Sequence, residues 1–182
     1  MEINDEIKFK KFQKAEYKGR RLFKNILKND FKIKNYRLLF SPNPFDSKDC
    51  IIYTDDIIYL TEIKFRYQSS KTYYQDIIEY QKFDDLLRQK QDFEKIYNKK
   101  VVILYFILYH NDATYKVYNL DLKEFIDETR QRDLYMNRTT SKKSNKILTK
   151  IIYLYPFDNH RKKSFLYYKN KNKNQIPRKY RI

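Results

Sequence analysis

Between Glu6 and about Leu27 the apolar residues Ile7, Phe12, Ala15, Leu22, Phe23, Ile26 and Leu27 recur at spacings near three and four among many lysines and arginines, which predicts an N-terminal helix. After Asn29 and Asp30 the pattern shortens to a strand-like stretch from Tyr36 to Phe40, which the Ser41-Pro42-Asn43-Pro44 segment must break. A loop runs to about Lys48. Cys50 to Tyr53 and Ile57 to Phe65 are β-branched and aromatic runs on either side of Thr54-Asp55-Asp56, and they predict a hairpin. From about Ser70 to Asn98 there is neither glycine nor proline, and Tyr74, Ile77, Ile78, Leu86, Leu87, Phe93 and Ile96 fall at helical intervals. A second long helix is expected there. Val101 to Tyr109 is a continuous apolar strand, Tyr115 to Asn119 pairs with it around Asn111-Asp112, and Asp121 to Arg132 reads as a short helix with Asp121 as its N-cap. Beyond Asn137 a Lys- and Asn-rich stretch carries one apolar run, Ile147 to Tyr155, read as one added strand before a basic tail.

The chain has 182 residues, 41% of them hydrophobic, enough for one ordinary domain with an extension but short for two cores. Its longest apolar run, Val101 to Tyr109, falls far below the roughly eighteen residues of a membrane span, and MEINDEIKFKKF has no apolar leader region. A soluble, cytoplasmic protein is expected, in the host cytoplasm if the source is viral. With one cysteine, Cys50, and two histidines, neither an internal disulfide nor a zinc-binding Cys/His cluster can form, so any metal must sit on carboxylates.

Charge changes the picture most. The net charge is +17, which favours a polyanionic partner and above all nucleic acid. Residues 138–182 hold 14 Lys and Arg against the single acid Asp158, so they carry +13 and residues 1–137 only +4. The expected division is a core over residues 1–137 and a basic C-terminal extension over 138–182. In that extension Phe165, Tyr167, Tyr168 and Tyr180 lie among Lys and Arg, a mixture suited to bases and phosphates together.

The hairpin holds the candidate chemistry. If Asp55 and Asp56 form a two-residue turn, Tyr53 faces Ile58 and Asp49 falls opposite Glu62. Alternation then puts Asp49, Glu62 and Lys64 on one face, while Ile63 and Phe65 point the other way. Facing carboxylates repel unless neutralised, and a divalent cation neutralises them. Magnesium on one or two carboxylates keeps room for water and phosphate oxygens, which suits phosphodiester hydrolysis with a neighbouring lysine.

Asp49, twelve residues, then Glu62-Ile63-Lys64, within the string YLTEIKFR and followed by Tyr80-Gln81-Lys82, resembles the PD-(D/E)XK nucleases. Among them it looks like the small Holliday-junction-resolvase-like or phage-type members. The resemblance covers roughly residues 10 to 120 and implies an α/β restriction-endonuclease-like αβββαβ core, with a central mixed sheet flanked by helices. It implies Asp49 and Glu62 as ligands of Mg2+ or Mn2+ with the Ile63 carbonyl, Lys64 as the catalytic lysine, Glu16 as an acid on the first helix, and Gln81 or Lys82 as a later polar residue. No proline immediately precedes Asp49, and Asp46 competes for the first acid position.

Three Glu-x-Lys triplets occur, at Glu6, Glu16 and Glu62, and only the last lies inside an apolar strand with an acid opposite. Candidate nucleic-acid contacts are Arg66 and Lys82 near the site and Lys142, Lys143, Arg161, Lys162 and Lys163 in the extension. The expected activity is a metal-dependent nuclease, with DNA favoured over RNA as its substrate. The competing reading is a non-catalytic basic nucleic-acid-binding or virion-associated protein that keeps the fold. Dimerisation is common among similar nucleases because two strands need two sites, so a homodimer is among the expected assemblies.

Overall fold

In the computed structural model the described residues are 2–31, 35–43, 46–72, 76–121, 126–137, 146–154 and 163–164. The expected N-terminal helix forms as α1 (Glu2–Ile26) and continues into a π-helical turn, Leu27–Phe31. Strands β1 (Arg37–Phe40), β2 (Cys50–Tyr53) and β3 (Ile57–Arg66) follow, then β4 (Asp76–Glu79) and α2 (Tyr80–Tyr97). After them come β5 (Lys100–Tyr109), β6 (Thr114–Asn119), β7 (Ile126–Asn137), β8 (Lys146–Leu154) and the two-residue β9 (Lys163–Ser164). Among the described residues the main sheet has the order β1-β2-β3-β5-β6-β9, and β4-β8-β7 form a smaller one. β3 and β5 run parallel at the centre while the other neighbours in the main sheet are antiparallel, so the sheet is mixed. The fold is α/β with helices on the sheet, and α1, β1 to β3, α2 and β5 supply the expected αβββαβ order around the inserted β4.

Alternation along the central strands sends side chains to two unlike faces. On one face Phe23, Ile26 and Leu27 of α1 and its π-helical turn pack against Cys50, Ile52, Ile63, Phe106, Leu108 and Tyr115. On the other, Phe83 and Leu86 of α2 cover Ile58, Leu60, Ile103, Tyr105, Ile107 and Tyr109. Gly19, the one glycine in the chain, lies where α1 crosses the sheet: a Cβ there would stand 3.2 Å from the Phe65 Cβ and 3.6 Å from Ile63 Cγ2. Left-handed backbone falls instead on Asn35, Asn98 and Ala113, and Asn98 closes α2 with its N–H bonded to the Glu94 carbonyl.

Two expected helical stretches are strands. The second helix begins at Tyr80 rather than near Ser70, because Asp76–Glu79 pairs with β8 and buries Asp76 and Ile78 on alternate positions. The β-branched pair Ile77-Ile78 suits that ladder, but its partner lies some seventy residues away in sequence. Likewise the expected helix over Asp121 to Arg132 is replaced from Ile126 onward by β7, paired with β8 across an irregularity between Asp127 and Arg132. The Asp121 carboxylate, expected at a helix N-cap, accepts from Lys90 Nζ at 2.8 Å and from the Ile103 N–H at 3.3 Å, tying α2 to β5. The strand expected in the extension forms as β8, with Ile151 and Leu154 buried. No helix among the described residues is long and apolar enough to cross a membrane.

Asp76 also anchors the small sheet to the large one. Its carboxylate accepts from Lys116 Nζ at 2.8 Å, from the Tyr118 hydroxyl at 2.5 Å and from the Tyr109 hydroxyl. All four groups are buried. Burial, with the Asp76 charge second, pushes both tyrosine hydroxyls well above their ordinary range, so they stay protonated donors. Removing one partner of such a pair strands the other charge, at about 3–5 kcal/mol. Asp76→Ala is therefore expected to lower the unfolding free energy by about 3–5 kcal/mol in urea titrations, and a loss under about 1 kcal/mol would mean that the Lys116 ammonium reaches water. Gly19→Val should cost about 1–3 kcal/mol in the same assay, because the added methyls meet Phe65 and Ile63 at the crossing.

Candidate active site

The hairpin closes as its turn residues require. Thr54 receives the Ile57 N–H on Oγ1 at 3.0 Å and donates that hydroxyl to the Ile57 carbonyl at 2.7 Å. Tyr53 pairs with Ile58 and Cys50 with Thr61, the register expected of a two-residue Asp55-Asp56 turn. One step beyond Cys50 the chain bends out of the regular ladder at Asp49, which keeps backbone bonds to both neighbouring segments. Its N–H donates to the Thr61 carbonyl at 2.8 Å, its carbonyl accepts from the Ser41 N–H at 2.8 Å, and its carboxylate Oδ2 accepts from the Ile63 N–H at 2.7 Å. A side chain thus accepts the β3 N–H that a backbone carbonyl of a continued β2 would otherwise take. That bond draws the Asp49 carboxylate to the strand position beside Glu62, while Cys50 turns into the α1 face of the core.

Glu62 is 2% exposed at the middle of the central strand. Lys64 Nζ, two residues on and therefore on the same face, lies 2.9 Å from its Oε1, and Lys82 Nζ from the first turn of α2 donates to the same oxygen at 2.6 Å. Burial alone would raise the Glu62 pKa, but the charges of Lys64 and Lys82 outweigh it and hold the carboxylate below its ordinary range. Burial would likewise lower the Lys64 pKa, and the Glu62 charge overrides it, keeping the ammonium charged. At Asp49 the compensation falls short. Burial first, and the Glu62 charge second, push its carboxyl up to about 7, outweighing the Ile63 N–H and the charges of Lys64 and Lys82, which act to lower it. Tyr105, paired with Glu62 across the β3/β5 register, is also buried there, and burial pushes its hydroxyl up to about 12.

The other sequence candidates divide into near and far. Glu16 reaches the site through Arg20: the Arg20 guanidinium lies 2.7 Å from Glu16 and 3.5 Å from Asp49 Oδ1, donates to the Ser41 carbonyl at 3.3 Å and lies over the Phe40 ring. Arg20 was not singled out by its sequence position. Its spacing of four from Glu16 on a helix was the available signal. Asp46, the competitor for the first acid position, binds Ser41 and Lys48 instead, at 3.0 and 2.9 Å, and Lys48 ties that loop to Gln89 of α2 at 2.8 Å. Gln81 is exposed and donates to Asp85 at 3.0 Å, one turn along α2. Arg66 lies on β3 beyond Lys64, its Nε buried without a partner. Lys163 lies in β9, and Lys142, Lys143, Arg161 and Lys162 lie outside the described residues.

The donor set fits a hard divalent cation. Two carboxylates and the Ile63 carbonyl offer oxygen alone, and the Glu62 charge felt at Asp49 marks a locus where added positive charge is favoured. Among the described residues no cluster of three or more acidic, histidine or cysteine side chains forms, so the protein would supply two side chains. The remaining positions would fall to water and phosphate oxygens, as magnesium prefers.

A carboxyl whose folded pKa lies above its unfolded value contributes stability that is complete below the ordinary carboxylate range and is lost as pH rises through the folded value. For Asp49 that window runs from the ordinary carboxylate range up to about 7. In EDTA, Asp49→Asn is therefore expected to raise Tm relative to the parent at pH 8 and to raise it much less at pH 4.5, near the start of that window. An equal difference at both pH values would show that Asp49 ionises as freely folded as unfolded.

No family model and no curated protein matches the sequence. Among solved structures, the chain is similar to Hjc, a Holliday junction resolvase from the archaeal hyperthermophile Archaeoglobus fulgidus, at 12% identity and a TM-score of 0.39, over 62% of this chain and 79% of that one.

Proposed function

We propose that the chain is a metal-dependent nuclease that hydrolyses phosphodiester bonds of nucleic acid, DNA before RNA, at Asp49, Glu62 and Lys64. The observation that carries this reading is a carboxylate 2% exposed in the central strand, with a second carboxylate beside it and two lysines on it. An aliphatic side chain at Glu62 would pack the Phe83 and Leu86 face without the desolvation penalty of a buried ion, several kcal/mol in typical proteins. Polar groups that violate the local packing rule in this way mark sites of chemistry.

Asp49, Glu62 and the Ile63 carbonyl are the groups that would hold Mg2+ or Mn2+, which supplies Lewis acidity to the scissile phosphate and to the attacking water. Each side chain has its own task. Lys64, its side chain 34% exposed, reaches from Glu62 toward solvent, where its ammonium can meet the negative charge growing on the non-bridging phosphate oxygens. Lys82 holds Glu62 from the helix side and orients its carboxylate. Arg20 does the same for Asp49 from α1, with Glu16 steadying the guanidinium. Gln81 and Arg66 remain candidates for contact with the substrate rather than for ligation, and the cations of the extension for added affinity.

Incubation with supercoiled, linear, single-stranded and four-way-junction DNA and with structured RNA, in magnesium, manganese or EDTA, tests the reading directly. Cleavage is expected in either metal and not in EDTA. Glu62→Ala and Asp49→Ala should lose about 10²–10³-fold or more in rate, and Lys64→Ala about 10²–10³-fold, with binding in EDTA largely retained. Salt-sensitive binding with no metal-dependent cleavage of any substrate would move the protein to the non-catalytic binding class.

A further inference from the structure

The solvent side of α1, continued into its π-helical turn, carries a line of positive charge. Lys14, Tyr17, Arg21, Lys24 and Lys28 follow one another at spacings of three, four, three and four, and every one is exposed, Tyr17 by 71%. That spacing keeps side chains on one face of a helix, and Lys10 lies one turn further back on the same face. No acid interrupts the line. From Lys14 to Lys28 it runs roughly 21 Å at the helical rise, about the length of six base pairs along one strand of a duplex.

The second helix shows what an ordinary solvated face looks like in the same protein. On α2 the signs alternate and neutralise one another locally: Arg88 pairs with Asp84 and Lys90 with Glu94, each one turn apart. On α1, Lys24 stands three residues from Arg21 and four from Lys28, like charges at the distances where they repel. Along this line the helix accepts that repulsion, while the ion pair of Glu16 with Arg20 lies to the side of it. Beside this line the apolar residues Phe23 and Ile26 of α1 and Leu27 of the following turn are buried in the core, so the face that the line presents to solvent is a charged one rather than an apolar one suited to a lipid surface.

We propose that the Lys14, Tyr17, Arg21, Lys24 and Lys28 face of α1 is a docking surface for the phosphate backbone of a nucleic-acid duplex. Four cations follow the phosphates, and the exposed Tyr17 ring lies among them against sugar or base. Arg20, about a quarter turn round the helix from this line, contacts Asp49, so a strand held along α1 lies next to the carboxylate pair. The surface rests on nucleic acid being the partner, as in the nuclease reading, and is independent of turnover.

The test is equilibrium binding of a DNA duplex in EDTA across a salt series. It compares the parent, a variant with Lys14→Gln, Arg21→Gln, Lys24→Gln and Lys28→Gln, and a control with Arg88→Gln, Lys95→Gln, Lys99→Gln and Lys100→Gln. Both variants remove the same charge at exposed positions, and circular dichroism checks their helices. If the α1 cations contact phosphates, the slope of log affinity against log salt should shrink by about 3–4 in the α1 variant and change little in the control. Equal slopes in all three proteins, or equal losses in both variants, would overturn the docking surface while leaving the nuclease reading standing. A parent that binds no duplex overturns the docking surface and leaves the nuclease reading to the cleavage assay on single-stranded DNA and RNA. Binding of the parent to phosphatidylserine vesicles more tightly than to duplex, lost in the α1 variant, would reassign the surface to membrane and overturn the proposal. Loss of cleavage alone, with the slope difference intact, would sink the nuclease reading and leave the surface.

Discussion

A carboxylate buried in the middle of a parallel strand pair is the constraint around which this molecule is arranged. Glu62 cannot stay ionised on the α2 face of the sheet without compensation, and its two partners arrive by different routes. Lys64 comes from the alternation of β3 itself. Lys82 comes only if α2 begins near Tyr80, so the position of that helix is tied to an electrostatic requirement as well as to Phe83 and Leu86. The start of α2 is set in turn by β4, whose pairing with β8 holds Asp76–Glu79 extended up to the first helical residue. Asp49 is the counterpart held without a cation of its own at hydrogen-bond distance, and the imbalance between the two acids is what a divalent ion would resolve.

The two faces of the sheet divide the labour. The α1 face is almost wholly apolar and closes on Gly19, where the helix approaches the strand without a Cβ. The α2 face carries two buried polar clusters on neighbouring rungs: Glu62 with Lys64 and Lys82, and Asp76 with Lys116, Tyr109 and Tyr118. Tyr105 stands between them, bonded through its hydroxyl to the Ile77 carbonyl. The second cluster links elements of both sheets through buried hydrogen bonds. It joins the small sheet to β5 and β6 and so holds β4 in place ahead of α2.

The parts of this arrangement that depend on near neighbours were legible in the sequence. The Asp55-Asp56 turn determines the β2/β3 register as far as Cys50 opposite Thr61, as two-residue hairpin geometry requires. The pairing of Asp49 with Glu62 expected from that register gives way to a bend, with the Asp49 N–H on the Thr61 carbonyl and its carboxylate on the Ile63 N–H. The choice of Asp49 over Asp46 needed more, because it rests on Lys48 and Ser41 engaging Asp46 and on Gln89 reaching across from α2. β4 and β7 were not legible. Ile77 and Ile78 sit as well on a helical period as on a strand, and the strand that decides between them, β8, is distant in the chain. Asp121, next to an apolar run, resembles an N-cap until the Ile103 N–H of β5 and Lys90 of α2 claim its carboxylate. Local pattern cannot report a partner that only tertiary structure supplies.

Arg20 shows how the two faces communicate. It leaves α1, on the apolar side, and passes the end of β1 at Ser41 and Phe40 to reach Asp49, where the chain has bent out of the ladder. Had β2 continued straight through Asp49, the backbone would have bonded to Ile63 and the carboxylate would have been directed solely by strand alternation. The bend frees the side chain to take that bond and opens its Oδ1 toward the α1 side. One irregularity at the end of β2 therefore has two effects: it sets the second acid beside Glu62, and it gives the charged surface of α1 a direct electrostatic link to the pair. A regular strand could have provided the first by register but not the second.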